Sequence, residues 1–201
     1  MILDVKLSWR NHINFLRAKL SSVCGVLGTI RPKITLQAAK LIYYALAYSY
    51  MNYGNIIWNA AAPTILNAIS NVQKRLIRII AKKKWDVHTS PLFVEFKILK
   101  FIDICKLVQG LFVFKCMNNL IDAPIQFNAR LNQRYNLRNL PILTIPYRPT
   151  TQSQRFVEYV GAELWNNLPN NIKCVATPQS FKVRMKKISI VQLLNLVYLL
   201  Q

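Results

Sequence analysis

Apolar side chains recur every three or four residues through most of the first 120 positions, and that period restricts the chain to amphipathic helices packed on one another. From Ser8 to about Ile30, Trp9, Ile13, Leu16, Leu20, Val23 and Leu27 keep to it, and Ser8 is a suitable N-cap. Arg31-Pro32 closes this helix, because proline disfavours the helical conformation in the residue before it. A second helix is expected from Thr35, whose hydroxyl suits a cap, through LQAAKLIYYALAYSYMNY to a stop or kink at Gly54. Apolar on nearly every side, it reads as a buried central helix. Gln37, Lys40 and Asn52 interrupt it, so no apolar run reaches the roughly 18 residues that a membrane span requires.

The third helix, Ala62 to Lys83, carries the clearest pattern. Ile65, Ile69, Val72, Leu76 and Ile79 form one stripe, and Lys74, Arg75, Arg78 and Lys82 fall within an arc of roughly 100° on the other side. A merely solvated face normally mixes signs, whereas positions 62–84 hold no acid at all. That one-signed face suits phosphate. After the segment HTSPLF (88–93), a fourth helix fits Phe101 to Asn118.

From Asp122 to about Arg155 the periodicity dissolves into prolines and scattered Asn and Arg, an irregular connector. It carries Arg130, Arg134, Arg138, Arg148 and Arg155 with Tyr135 and Tyr147 between them, groups suited to phosphate contact and base stacking but equally to a plain basic linker. Beyond it, FVEYV alternates like a short strand, Ala162 to Leu168 makes one or two helical turns stopped by Pro169, and Thr177-Pro178 opens a last helix. The tail from Ile188 to Gln201 is apolar but too short to span a bilayer. Packing on the helices or a partner contact suits it better than a membrane interface. The organisation expected is 1–120 helical bundle, 121–155 connector and 156–201 small C-terminal block.

Charge narrows the function classes. The 201 residues hold 27 Lys and Arg against 7 Asp and Glu, a net charge of +20, while 53% apolar content excludes a chain disordered throughout. Such an excess is most easily tolerated when an anionic partner neutralises it. The acids, Asp4, Asp86, Glu95, Asp103, Asp122, Glu158 and Glu163, are scattered, which disfavours a two-metal carboxylate centre. Cys24, Cys105, Cys116 and Cys174 show no metal-ligand spacing and read as buried free thiols, with Cys105 and Cys116 three turns apart on one helical face. No secretory signal pattern is present, so an intracellular, reducing setting is expected. Trp9, Trp58 and Trp165 suit core anchors, Trp85 either core or surface, and His12 and His88 polar core or cap positions.

Several segments together resemble a known family. The opening ILDVKLSWRNHINFLRAKL, through Leu3, Asp4, Leu7, Trp9, His12, Ile13, Lys19 and Leu20, is similar to the stretch that leads from palm to thumb in non-LTR (jockey-like) retrotransposon reverse transcriptases. Tyr53-Gly54 with Trp58, Gln73-Lys74-Arg75 with Ile77-Arg78, His88-Thr89 with Pro91-Leu92-Phe93, Trp165-Asn166 with Leu168-Pro169 and Ile172, and Phe181-Lys182 follow in that family's order. The resemblance covers residues 3 to about 187; the tail departs from it.

The resemblance implies the thumb and post-thumb part of an RNA-directed DNA polymerase, and with it a mainly α fold: a thumb-like helical bundle, an irregular basic connector and a small α+β C-terminal block. The family's Asp-Asp turn, which holds Mg²⁺ in the parent polymerase, has no counterpart among these residues, so no catalytic residue and no cofactor transfers to this chain. It is expected to polymerise nothing alone. The implied role is to grip a primer–template backbone. The nucleic-acid-binding residues are then Lys74, Arg75, Arg78, Lys82, Lys83 and Lys84, with Arg130, Arg134 and Arg138 from the connector. Implied partners are RNA, DNA or an RNA–DNA hybrid and the family's palm and fingers region, with no membrane, in nucleus or cytoplasm as ribonucleoprotein. The alternatives are a stand-alone nucleic-acid-binding protein derived from such an element, or an inactive remnant.

Overall fold

The computed structural model describes residues 1–130 and 142–198, and the chain is mainly α. Residues 1–104, together with the residues from Ser189 on, form one compact unit and residues 105–188 a second.

In the first unit, α1 (Arg10–Ile30) buries His12, Ile13, Leu16, Leu20, Val23, Cys24 and Leu27, the expected stripe with two residues added. Its N-cap residue is Trp9, not the expected Ser8, and has no side-chain cap bond; Asp4 organises the start instead. The Asp4 carboxylate accepts from the Ser8 N–H (2.8 Å), the Ser8 hydroxyl (3.0 Å) and the Trp9 N–H (2.9 Å). These bonds to the charged form, the Ser8 N–H foremost, hold the carboxyl below its ordinary value. They also fix Trp9 in the left-handed region, at φ 63°, with its side chain buried.

Thr35 caps the next helix as expected, accepting from the Ala38 N–H at 3.2 Å. The segment is α-helical over α2 (Leu36–Ile42), π-helical over Tyr43–Tyr48 and α-helical again over α3 (Ser49–Asn52). It is not the buried central helix its composition suggests. Ala39, Tyr43, Ala47 and Met51 are buried, while Leu36, Leu41, Tyr44 and Leu46 are exposed. The buried set recurs every fourth residue, which drifts by about 40° per step on an α-helix. The wider π turn takes up that drift and keeps all four on one side. Gly54, at φ 62°, then turns the chain into α4 (Asn55–Trp58), and the Trp58 indole N–H donates to Tyr53 O at 2.8 Å. The Trp58 ring is fully buried and stacks on Phe101.

Helix α5 (Pro63–Ile80) packs along α1. Its buried residues are Ile69, Gln73, Leu76, Ile77 and Ile80, a stripe turned by about 60° from the one expected, because Gln73 belongs to the core and Val72 and Ile79 are only half-buried. Nor does the helix reach Lys83. Lys82 takes φ 54°, its N–H bonds Ile79 O (3.1 Å) and the Lys83 N–H bonds Arg78 O (3.0 Å), a Schellman ending. The Arg31 guanidinium, itself buried, donates from Nε to Ile80 O at 2.7 Å and sets a cation on the same helix end. The same ending recurs at Lys97 (φ 55°) after α6 (Ser90–Phe96) and at Asn119 (φ 51°) after α7 (Phe101–Met117).

The second unit takes most of α7 and packs it with the C-terminal helices. The segment FVEYV, expected as a strand, instead opens α8 (Val157–Asn167), with Phe156 as its extended N-cap residue and the other four in its first turn. Five alternating residues are too few to fix a period, and the helix brings Gly161, Ala162 and Trp165 to one buried face. Leu168 ends α8 in the extended conformation that Pro169 imposes. After α9 (Asn170–Lys173), Thr177 caps α10 (Pro178–Tyr198), accepting from the Ser180 N–H at 3.2 Å. Phe181 is buried between Trp165 (centroids 6.1 Å apart) and Phe114 (4.8 Å). The connector is not wholly irregular: β1 (Ala129–Arg130) pairs antiparallel with β2 (Ile142–Leu143), Ala129 opposite Leu143. Asn166 fastens that pair to α8, its side chain accepting from Leu143 N–H and donating to Leu143 O, both at 2.9 Å. Among the described residues no helix is long and apolar enough to cross a membrane.

Candidate nucleic-acid interface

The outer face of α5 follows from its inner one. With Ile69, Gln73, Leu76, Ile77 and Ile80 turned inward, the 3.6-residue period leaves Asn67, Asn71, Lys74 and Arg75 exposed. Lys82, Lys83 and Lys84 follow on the turn beyond the helix and are exposed, as is Trp85 at 86%. No carboxylate lies between positions 62 and 85 to neutralise them.

Two concave surfaces flank this face. On one side Arg17 of α1 meets Thr64, Asn67, Ala68, Asn71, Val72 and Arg75 around a groove of about 430 Å³. Two arginines and two asparagines are thus among its lining residues. On the other side is a pocket of about 360 Å³, whose polar lining includes Asn67, Ser70, Lys74, His88, Ser90 and Lys100. Lys100 Nζ donates to Ser90 Oγ at 3.1 Å. Burial lowers the Lys100 ammonium below its ordinary value; Asp103 opposes that shift and Lys74 adds to it.

Buried polar bonds position the second pocket's walls. Gln73 Nε2 donates to Leu99 O (2.9 Å) and Tyr43 Oη (2.9 Å), while its Oε1 accepts from the Phe101 N–H (2.7 Å). The backbone on either side of Lys100 is thereby fixed to α5. Arg78 is half-buried and its Nε donates to Val87 O at 2.8 Å, which ties the residue before His88 to the same helix. Arg78 therefore spends part of its donor set inside the fold, although it lies on the expected basic arc.

No family model, curated protein or solved structure matches this chain.

The expected basic residues thus divide. Lys74 and Arg75 lie on α5, one on each flanking hollow; Lys82, Lys83 and Lys84 lie beyond its end. Arg130 is in β1, paired with Ile142, in the second unit, and Arg134 and Arg138 lie outside the described residues. Arg148 forms an ion pair with Glu158. Periodicity alone missed Arg17, Asn67, Asn71, Ser90 and Lys100, because the register of α1 on α5 and the Gln73 bonds bring them in. His88 is exposed rather than a core residue, whereas His12 is buried against Trp9 and Trp58. Trp9, Trp58 and Trp165 are buried. No disulfide joins the four cysteines; Cys24 and Cys105 are buried as expected, whereas Cys116 is half-buried and Cys174 exposed. Among the described residues no three of His, Cys, Asp and Glu are grouped to hold a metal ion.

Proposed function

We propose that this chain grips the sugar–phosphate backbone of nucleic acid, an RNA–DNA hybrid above all, as the non-catalytic thumb and post-thumb part of a retrotransposon reverse transcriptase. The observation that carries the binding reading is the acid-free face of α5 between two donor-lined hollows, Arg17 with Arg75 and Lys74 with Lys100. Such a face neutralises phosphates without reading bases. The retrotransposon assignment is supported by the ordered resemblance from Leu3 to Phe181-Lys182. In that role the partners are the primer–template and the polymerase's palm and fingers, inside the cell in a ribonucleoprotein.

The test is the salt dependence of hybrid binding. With four to six phosphates engaged, the logarithm of the binding constant should fall against the logarithm of salt with a slope of about −3.5 to −5, at roughly 0.9 per contact. Replacing Lys74, Arg75, Lys83 and Lys84 together by Gln should flatten that slope by about 3 to 4 units. Helicity should persist, since Gln is a comparable helix former. Arg17→Gln, on a different helix, should remove about one unit more. A face that only keeps the chain in solution predicts an unchanged slope, and that result in a folded variant would refute the assignment of this surface.

A further inference from the structure

We infer that the pocket between α5, the His88–Ser90 turn and Lys100 is a seat for one phosphate group, which fixes the position of a bound strand on the α5 face. This rests on the nucleic-acid reading above and adds to it a discrete site with its own residues. Lys74 and Lys100 supply two ammonium groups, Ser90 and Ser70 hydroxyls, Asn67 an amide and His88 an imidazole, all lining one hollow of about 360 Å³. A tetrahedral oxyanion can accept from several of these donors at once, and no carboxylate is among the lining residues to compete.

Two features separate this hollow from a merely basic surface. Lys100 is half-buried and held to Ser90 Oγ at 3.1 Å, so one of its three N–H donors is spent and its head is placed in advance. Its flanking residues are pinned to Gln73, and His88 follows the Val87 carbonyl that Arg78 holds. The Lys100 ammonium and the backbone around it are thus placed before any ligand arrives, which lowers the ordering cost of binding. Burial works against the charge on Lys100, Asp103 offsets part of that and Lys74 adds to it, and an anion in the pocket would screen the two ammonium groups from each other. A phosphodiester of the strand and a free phosphate ion share the chemistry that these donors recognise. The backbone diester is the occupant we assign, because the pocket opens beside the exposed face that carries Lys74 and Arg75.

The chain's two histidines make the test direct. His88 lines the pocket, and His12, buried in the core, serves as an internal control. Inorganic phosphate titrated into the full chain at constant ionic strength should shift the His88 imidazole resonances saturably and leave those of His12 in place. Lys100→Met should weaken the apparent affinity by about tenfold or more, the scale of a charge-assisted bond. If the His12 resonances show that Lys100→Met has not folded, the exposed Lys74→Gln is judged by the same criterion. An unsaturable His88 shift, or one equally strong in the folded variant, overturns the pocket. An RNA–DNA hybrid should displace the phosphate from native chain. Saturable phosphate binding with no hybrid binding upholds the phosphate site and refutes the nucleic-acid reading. Hybrid binding with the full salt slope but no His88 response to either ligand does the reverse.

Discussion

Gln73→Leu should cost far more than its side-chain volume suggests. Leucine fits the space and is better suited to an apolar core, but Gln73 is 1% exposed and makes three hydrogen bonds. The substitution strands the Phe101 N–H and the Leu99 carbonyl, both fixed backbone groups, together with the Tyr43 hydroxyl. Each buried group left unpaired costs about 1–3 kcal/mol. Partial relaxation and the gain from burying an apolar side chain bring the expected loss to roughly 3–5 kcal/mol, a large share of the stability of a domain this size. Urea unfolding followed by far-ultraviolet circular dichroism measures it, with an unchanged denaturant slope as the check that both states are comparable. Tyr43→Phe removes one stranded group, so the double variant should be less destabilised than the two single losses added together. The coupling should be on the order of 1 kcal/mol. A single-variant loss below about 1 kcal/mol would mean that water or backbone movement satisfies these groups, and the account of Gln73 as the clamp on residues 99–101 would fail.

The remaining outcomes test separate parts of the fold. A Cβ on Gly161 would lie 2.8 Å from Val113 Cγ2, so Gly161→Ala should destabilise by about 1–2 kcal/mol despite alanine's helix preference, and Val113→Ala in the same chain should recover part of that loss in urea unfolding. Lys97→Gly, at a left-handed helix ending, should stabilise by about 0.5–1 kcal/mol, read as a higher denaturation midpoint. Burial keeps the His12 imidazole below its ordinary value of 6.5. The unfolded chain therefore takes up a proton before the folded one does, so the His12 contribution is present above pH 6.5 and is lost as pH falls below it. His12→Phe should flatten that limb of the stability curve, while an unchanged limb would place the titrating group elsewhere.

The legible parts of this chain were those governed by local period. The α1 stripe from Trp9 to Leu27, the Thr35 and Thr177 caps, the break at Arg31-Pro32 and the exposure of Lys74 and Arg75 all follow from residues a few positions apart. Counting apolar residues misled wherever a polar one belonged to the core. Gln73 reads as surface by composition, yet its bonds to Tyr43, Leu99 and Phe101 draw it inward and turn α5 with it. The three Schellman endings carry no glycine signal in the sequence, because lysine or asparagine occupies the left-handed position.

The sequence by itself determined a mainly α chain with an acid-free basic helix, because periodicity and charge are properties of neighbouring residues. Only the tertiary structure decided which cations share a hollow. Arg17 and Arg75 lie 58 positions apart and Lys74 and Lys100 lie 26 apart. Nothing local relates such pairs; helix packing and buried hydrogen bonds bring them together. It also decided that an apolar segment, Leu36 to Tyr53, buries one side only, since a helix can bury only the faces that have neighbours.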